Sequence, residues 1–300
     1  MTRDIGQAQW WMQSEITALW QACFSEKREA IDLFFARYFR PENTLTCSVN
    51  GRVVAMLHML PGVISTHSEP LRAHYIYAAA TDPAFRAQGI MEHLIVQACE
   101  LGAARGDHYS FLLPANERLY DYYGKHAYVP FFRTSFNTFS RMDLQRKIEC
   151  VGAHASQEAV TPCELKTSRD AFLAAHIGSA IWSEHALDYA VRYAEIYGGQ
   201  LVAVEVAGRL AYALCSGVYD QQCEVLELVV DELTVHPLLA AILKSVNAAT
   251  YRFRLLTDHT LLGGSVSGTR FGMIKPLTAL ARGSALLTGA QAPYLGLTLD

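Results

Sequence analysis

The chain has 300 residues, room for two domains of ordinary size, and its composition (51% hydrophobic, 18% charged) is that of a globular protein with a large core. A net charge of −4 offers no basic field for nucleic acid or an anionic membrane. Seven scattered cysteines without a C-x-x-C pair, an acid-bearing N-terminus without an apolar signal region, and no apolar run of roughly 18 residues lead us to expect a reduced, cytoplasmic protein.

Along the chain, Ile16, Leu19, Trp20, Cys23 and Phe24 fall on one stripe of a helix, and Ile31, Phe34, Phe35 and Tyr38 mark a second that ends before Pro41. The period then changes. "NTLTCSVNGRVVAMLHMLPG" holds two β-rich runs around Asn50-Gly51, a hairpin signal. A strand from Ala73 to Thr81 follows, then a helix from Gly89 to about Ala104 with Met91, Leu94, Ile95, Ala98 and Leu101 on its buried face. "HYSFLLPA" reads as a buried strand, "NERLYDYYGKHAY" as a short helix and turn, and "VPFFRTSFNTFS" as another strand. The pattern lapses from Met142 to about Pro162, which reads as a linker.

The second half repeats the order: two helices, the hairpin "GQLVAVEVAGRLAYALCSGVY", strand "EVLELVV", helix "HPLLAAILKSV" and strand "YRFRLLT". It matches the first half at Val49/Val206, Gly51/Gly208, Arg52/Arg209 and Leu57/Leu214, all with one offset. We read this as an internal repeat of one α/β unit. The division expected is 1–145 for the first domain, 146–162 for the linker, 163–280 for the second domain and 281–300 for a C-terminal tail.

The chemistry points to one turn. In "RAQGIM", Gly89 opens a helix directly after a strand. Helix N-termini present unpaired N–H groups and partial positive charge, glycine lets an anion approach them, and Arg86 adds a full charge beside them. The dinucleotide fingerprint and the Walker loop are both absent, and "GGSVSG" at 263–268 reads as an ordinary loop. The eleven histidines show no metal-ligand spacing, so no metal is expected, and no G-x-S-x-G supports a serine nucleophile.

The order hairpin, strand, R-x-x-G, helix, strand and N-x₆-Y resembles the GNAT acetyltransferase superfamily, carried here by Arg86, Gly89, Asn116, Tyr123 and Tyr128. Met91 departs from the small residue of that motif. The second half has "VVDELTVHP" between its strand and helix, with no glycine to admit a pyrophosphate. One live and one degenerate half are similar to the Eis-like tandem acetyltransferases, without their sterol-carrier-like region. The fold class implied is α/β (α+β): two GNAT-like domains in tandem, each a mixed sheet with helices.

The resemblance implies that Arg86, Ala87, Gln88, Gly89, Ile90 and Met91 cradle the pyrophosphate of acetyl-CoA, the cosubstrate. It implies that Ala79, Ala80 and Thr81 splay from the neighbouring strand and pair their backbone with the pantetheine arm, which Asn116 also contacts. Tyr123 would protonate the leaving thiolate. No carboxylate lies on "HYIYAAAT" to serve as base. Eis-like enzymes use their C-terminal carboxylate, so Asp300 takes that role by resemblance, although the tail "APYLGLTLD" also reads as a plain docked strand. The partner implied is a small-molecule or peptide amine, with neither nucleic acid nor membrane, and a homo-oligomer is compatible. A non-catalytic acyl-CoA-binding regulator and an aminoacyl-tRNA-dependent peptidyltransferase are the alternatives; "RAQGIM" and the net charge of −4 count against the latter.

Overall fold

In the computed structural model the described residues are 3–149, 160–263, 268–287 and 292–299. They fall into two compact units: Met1–Phe131 with Gly272–Gly289 (unit 1), and Phe132–Phe271 with Ala290–Asp300 (unit 2).

Unit 1 begins with a strand that the sequence pattern does not announce, β1 (Arg3–Gln7). Helices α1 (Gln13–Cys23) and α2 (Arg28–Arg37) then bury the expected stripes, Ile16, Leu19 and Trp20 on one and Ile31, Phe34 and Phe35 on the other. The predicted hairpin is formed by β2 (Thr44–Val49) and β3 (Arg52–Ile64). Its tip residues Asn50 and Gly51 both have positive φ, 52° and 81°, the backbone that a two-residue hairpin turn needs. Next come β4 (Leu71–Thr81), α3 (Ile90–Ala104), β5 (Tyr109–Leu112), α4 (Glu117–Gly124) and β6 (Val129–Pro130).

Unit 2 contains β7 (Arg133–Ser140), α5 (Arg141–Glu149), α6 (Pro162–Leu173), β8 (Ala180–Ile181) and α7 (Glu184–Ile196). The repeated module follows as β9 (Gln200–Val206), β10 (Arg209–Cys215), β11 (Gln222–Val229), α8 (Val235–Ser245) and β12 (Thr250–Leu255), then a short β13 (Thr269–Arg270). The chain returns to unit 1 for β14 (Met273–Pro276) and α9 (Ala279–Arg282).

The sheet of unit 1 runs β1-β2-β3-β4-β5-β14-β6, and that of unit 2 runs β13-β7-β12-β11-β10-β9. Three expectations change here. The run read as one strand from Val129 to Ser140 is two: β6 pairs with β14 in unit 1, and β7 pairs with β12 in unit 2. The compact units are therefore discontinuous in sequence, unlike the contiguous division expected. Second, the presumed linker begins as helix α5, whose Leu144 is fully buried in the core of unit 2. Residues 150–159, the middle of that stretch, lie outside the described residues.

Third, the tail is docked but forms no strand over 292–299. Its backbone carbonyls accept from side chains of unit 2 instead: Leu295 O from the buried Arg169 Nη2 (3.4 Å), Gly296 O from the half-buried Arg254 Nη1 (3.2 Å) and Leu297 O from the buried Trp182 Nε1 (3.0 Å). Arg169 is itself buried against Glu227 (3.0 Å), which also accepts from the Tyr212 hydroxyl at 2.8 Å. A buried ion pair needs such extra hydrogen bonds to offset its desolvation. Asp300 lies outside the described residues, as do residues 264–267 of the glycine-rich loop.

Candidate active site

Strand β4 makes two different kinds of edge. Toward β3 it stays paired to its end, with Met56 opposite Ala80 and Ala55 opposite Thr81. Toward β5 it pairs in parallel only across Ala73–Tyr75. Beyond Tyr75 the two strands part, so the β5-facing backbone of Ala79, Ala80 and Thr81 has no strand partner among the described residues. The register shift between Met56 and His58 marks a bulge, where Ala78 adopts φ 46°. Bulges bend a strand and raise its twist, which opens such a gap. The alanines at 78–80 keep it free of bulk.

The edge leads into the turn. Asp82 accepts from the Ala84 N–H (2.9 Å) and from Arg52 Nη2 (2.7 Å), and a short 3-10 segment covers Pro83–Phe85. Arg86 folds back so that its Nε donates to the Thr81 carbonyl at 3.0 Å. Cys23 Sγ meets the same carbonyl at 3.6 Å, and burial outweighs the nearby Arg86 to push this thiol's pKa up. Ala87 and Gly89 then take positive φ, 59° and 74°, a conformation that favours glycine. A Cβ on Gly89 would meet nothing closer than 3.9 Å, so the space beside the turn is open.

Among the described residues, no acceptor meets the N–H groups of Ala87, Gln88, Gly89, Ile90 or Met91. Exposed helix-terminal amides of this kind are an anion site in waiting. Met91 is half-buried against the core, and its amide has no acceptor among the described residues. The pyrophosphate of acetyl-CoA fits what the turn offers: open space, unpartnered donors and a guanidinium.

Asn116 and Tyr123 both lie on α4. Asn116 is its N-cap, accepting from the Leu119 N–H at 3.3 Å, which leaves the amide nitrogen free to donate. Tyr123 is buried in the cluster that contains Ile76, Ile90 and Tyr128, with Ala79 and Met91 packed against it. Its ring stands edge-on to Tyr122 (5.3 Å) and Tyr128 (5.8 Å). Burial, and to a smaller degree Tyr122, pushes its pKa well up, so it stays a neutral phenol at physiological pH. Tyr120 accepts from the Gly272 N–H at 3.0 Å, and Tyr128 is 2.6 Å from Ser110 Oγ. The Tyr123 hydroxyl alone of these three has no partner among the described residues. Tyr123 is the phenol left available.

The sequence reading missed Arg3. From β1 it donates to Gln88 Oε1 (2.7 Å) and to the Gln88 carbonyl (3.4 Å), across 85 positions of sequence. No local spacing signals such a contact. Among the described residues no group of three His, Cys, Asp or Glu could hold a metal, and no helix is long and apolar enough to cross a membrane.

Comparison with known proteins agrees with this geometry. Residues 11–128 match the family model described as an acetyltransferase (GNAT) domain. No curated protein matches the sequence. Among solved structures, a probable N-acyltransferase of unknown function from Enterococcus faecalis is 14% identical, with TM-score 0.75, covering 92% of this chain and 72% of that one. A GCN5-related N-acetyltransferase from Anabaena variabilis is similar at 14% identity and TM-score 0.74, covering 93% and 74%. Eis1 from Mycobacterium abscessus is similar at 13% identity and TM-score 0.68, covering 92% and 74%. At these identities the likeness shows the fold. Residues 11–128 are thus similar to a GNAT acetyltransferase domain, and the chain shares its fold with GCN5-related N-acetyltransferases and with Eis1.

Proposed function

We propose that unit 1 transfers the acetyl group of acetyl-CoA to a primary amine by direct attack on the thioester. The observation that carries this reading is a strand edge without a partner running into a turn of unpartnered amides. Arg86 and the amides of 87–91 hold the pyrophosphate. The free backbone of Ala79, Ala80 and Thr81 and the amide nitrogen of Asn116 align the pantetheine arm.

The amine nitrogen bonds to the thioester carbon, and a backbone N–H of the open β4 edge stabilises the oxyanion. The C–S bond then breaks, and the Tyr123 hydroxyl gives its proton to the departing thiolate. Burial raises the pKa of this phenol, and the same cleft would desolvate the thiolate beside it, so donor and acceptor shift upward together. The amine proton goes to a base, and the α-carboxylate of Asp300 is proposed for it on the resemblance to Eis-like enzymes. The substrate class is an amine on a small molecule or peptide.

The test is thiol release from acetyl-CoA against a panel of primary amines, with the acetylated product read by mass spectrometry. Tight acetyl-CoA binding without amine-dependent thiol release would sink the enzymatic reading in favour of an acyl-CoA-binding regulator.

A further inference from the structure

We infer that Arg3 is a positioning residue of the unit 1 turn, an inference that rests on reading that turn as the acetyl-CoA pyrophosphate site. β1 is the edge strand, and its register sets Arg3 opposite Val49, next to the hairpin tip at Asn50 and Gly51. The same tip carries Arg52, which reaches Asp82 at the start of the turn. The first residue of β1 is therefore delivered to the end of the sheet where α3 begins.

What Arg3 does there follows from its two contacts. Nη2 holds the Gln88 side-chain oxygen at 2.7 Å, and Nη1 points at the Gln88 carbonyl at 3.4 Å. In a trans peptide the carbonyl of one residue and the N–H of the next point in opposite directions. A carbonyl of Gln88 drawn toward Arg3 therefore turns the Gly89 N–H away from it. That N–H has no acceptor among the described residues. Arg3 thus fixes the peptide whose amide an anion would use, and glycine at 89, with φ 74°, lets the peptide adopt that orientation.

Charge makes the same demand. Glu92 lies in the first turn of α3, and its Oε2 comes within 4.0 Å of the Cβ position of Gly89. A diphosphate at the turn would meet that carboxylate, so it needs more cation than one. Arg52 is committed to Asp82. Neither Arg3 nor Arg86 is in an ion pair with a described residue, and both side chains are exposed.

Titration calorimetry on the full chain tests this with CoA, 3′-dephospho-CoA and pantetheine as the probes. Arg3→Gln is expected to weaken CoA and 3′-dephospho-CoA alike, on the order of 10-fold, because the Gln88 peptide is no longer held with its Gly89 N–H free and a nearby positive charge is lost. Pantetheine, which lacks the pyrophosphate, is expected to bind unchanged. Arg3→Lys should recover only part of the loss, since it restores the charge without the paired contacts to Gln88. CoA affinity within twofold of wild type in a folded Arg3→Gln variant would overturn the inference, and so would a loss confined to CoA with 3′-dephospho-CoA unaffected. Gly89→Asp in the same series separates the two levels. If Gly89→Asp abolishes binding and Arg3→Gln does not alter it, Arg3 alone is wrong; if Gly89→Asp binds like wild type, the pyrophosphate reading falls with it.

Discussion

After the third strand of each hairpin module, units 1 and 2 start alike. Arg52 pairs with Asp82 at 2.7 Å in unit 1, and Arg209 pairs with Asp231 at 2.7 Å in unit 2. Each pair joins the first residue of the second hairpin strand to an acid just beyond the next strand. The register shift recurs too, after Met56 in one unit and after Leu214 in the other. Beyond the acid they diverge. Unit 1 inserts Pro83 to Gly89 before its helix, whereas unit 2 has only Glu232 to Thr234. In that short turn Asp231 Oδ1 accepts from the N–H groups of Leu233 and Thr234, both at 3.0 Å, and the Asp231 carbonyl accepts from Val235 N. Pro237 supplies no N–H at all in the first turn of α8. Unit 2 has filled with its own carboxylate and carbonyl the place that unit 1 leaves open. A shorter turn and one carboxylate distinguish the closed helix entry of unit 2 from the open one of unit 1.

The sharpest way to break that comparison is to close the open turn. Gly89→Asp places a carboxylate among the free amides and a Cβ on a backbone with φ 74°. Calorimetry should show acetyl-CoA binding lost by roughly 100-fold or more, since the new charge competes for the donors and repels phosphate. Val235→Gly in unit 2 should leave acetyl-CoA affinity as it was. Equal losses from both substitutions would erase the distinction between the units.

The chemistry should fail separately from the binding. Appending a few residues after Asp300, or deleting Leu299 and Asp300, is expected to abolish acetylation with acetyl-CoA affinity intact; full activity in a C-terminally extended protein removes the carboxylate from the mechanism. Tyr123→Phe keeps the ring and its edge-on packing, so affinity should hold while turnover falls about 10²-fold, the usual scale for a lost general acid. Near-normal turnover would make Tyr123 a packing residue only.

How much of this was legible in the sequence depends on the reach of each interaction. The break between strand and helix is legible, because Gly89 stands between an apolar strand and an apolar helix, and Asn116 and Tyr123 lie within one short helix of each other. The strand exchange was not. "VPFFRTSFNTFS" is one unbroken apolar and β-prone run, and nothing local says that the chain changes sheet between Phe131 and Phe132. Helix α5 reads as linker because "RMDLQRKIE" is mostly polar and Leu144 is its one fully buried anchor among the described side chains. The tail was read as strand-compatible, yet its carbonyls bond to Arg169, Arg254 and Trp182, residues distant in sequence. Arg3 and β1 were invisible for the same reason.

The smallest expected effect tests the closed half. Asp231 is opposed by partial burial, but hydrogen bonds from Arg209, Thr234 and the Leu233 amide hold its carboxyl below the ordinary carboxylate range. A carboxyl depressed in the folded state stabilises above its unfolded pKa, and that contribution fades as pH falls through the folded value. Asp231→Ala removes the acceptor of the Leu233 and Thr234 N–H groups in the turn before α8 and should cost about 1 kcal/mol of stability at neutral pH, the usual net worth of such a hydrogen bond, with the exposed Arg209 pair adding little. Thermal melts of wild type and variant should therefore differ by a few degrees at pH 7 and converge as the pH drops below about 4. Acetyl-CoA affinity should not change at either pH, because uncapping a turn as short as Glu232–Thr234 frees two amides but supplies neither the glycine nor an arginine like Arg86. A gap in melting temperature that persists into acid would mean that Asp231 acts by packing rather than by charge, and a gain in acetyl-CoA binding would mean that the cap alone keeps unit 2 closed.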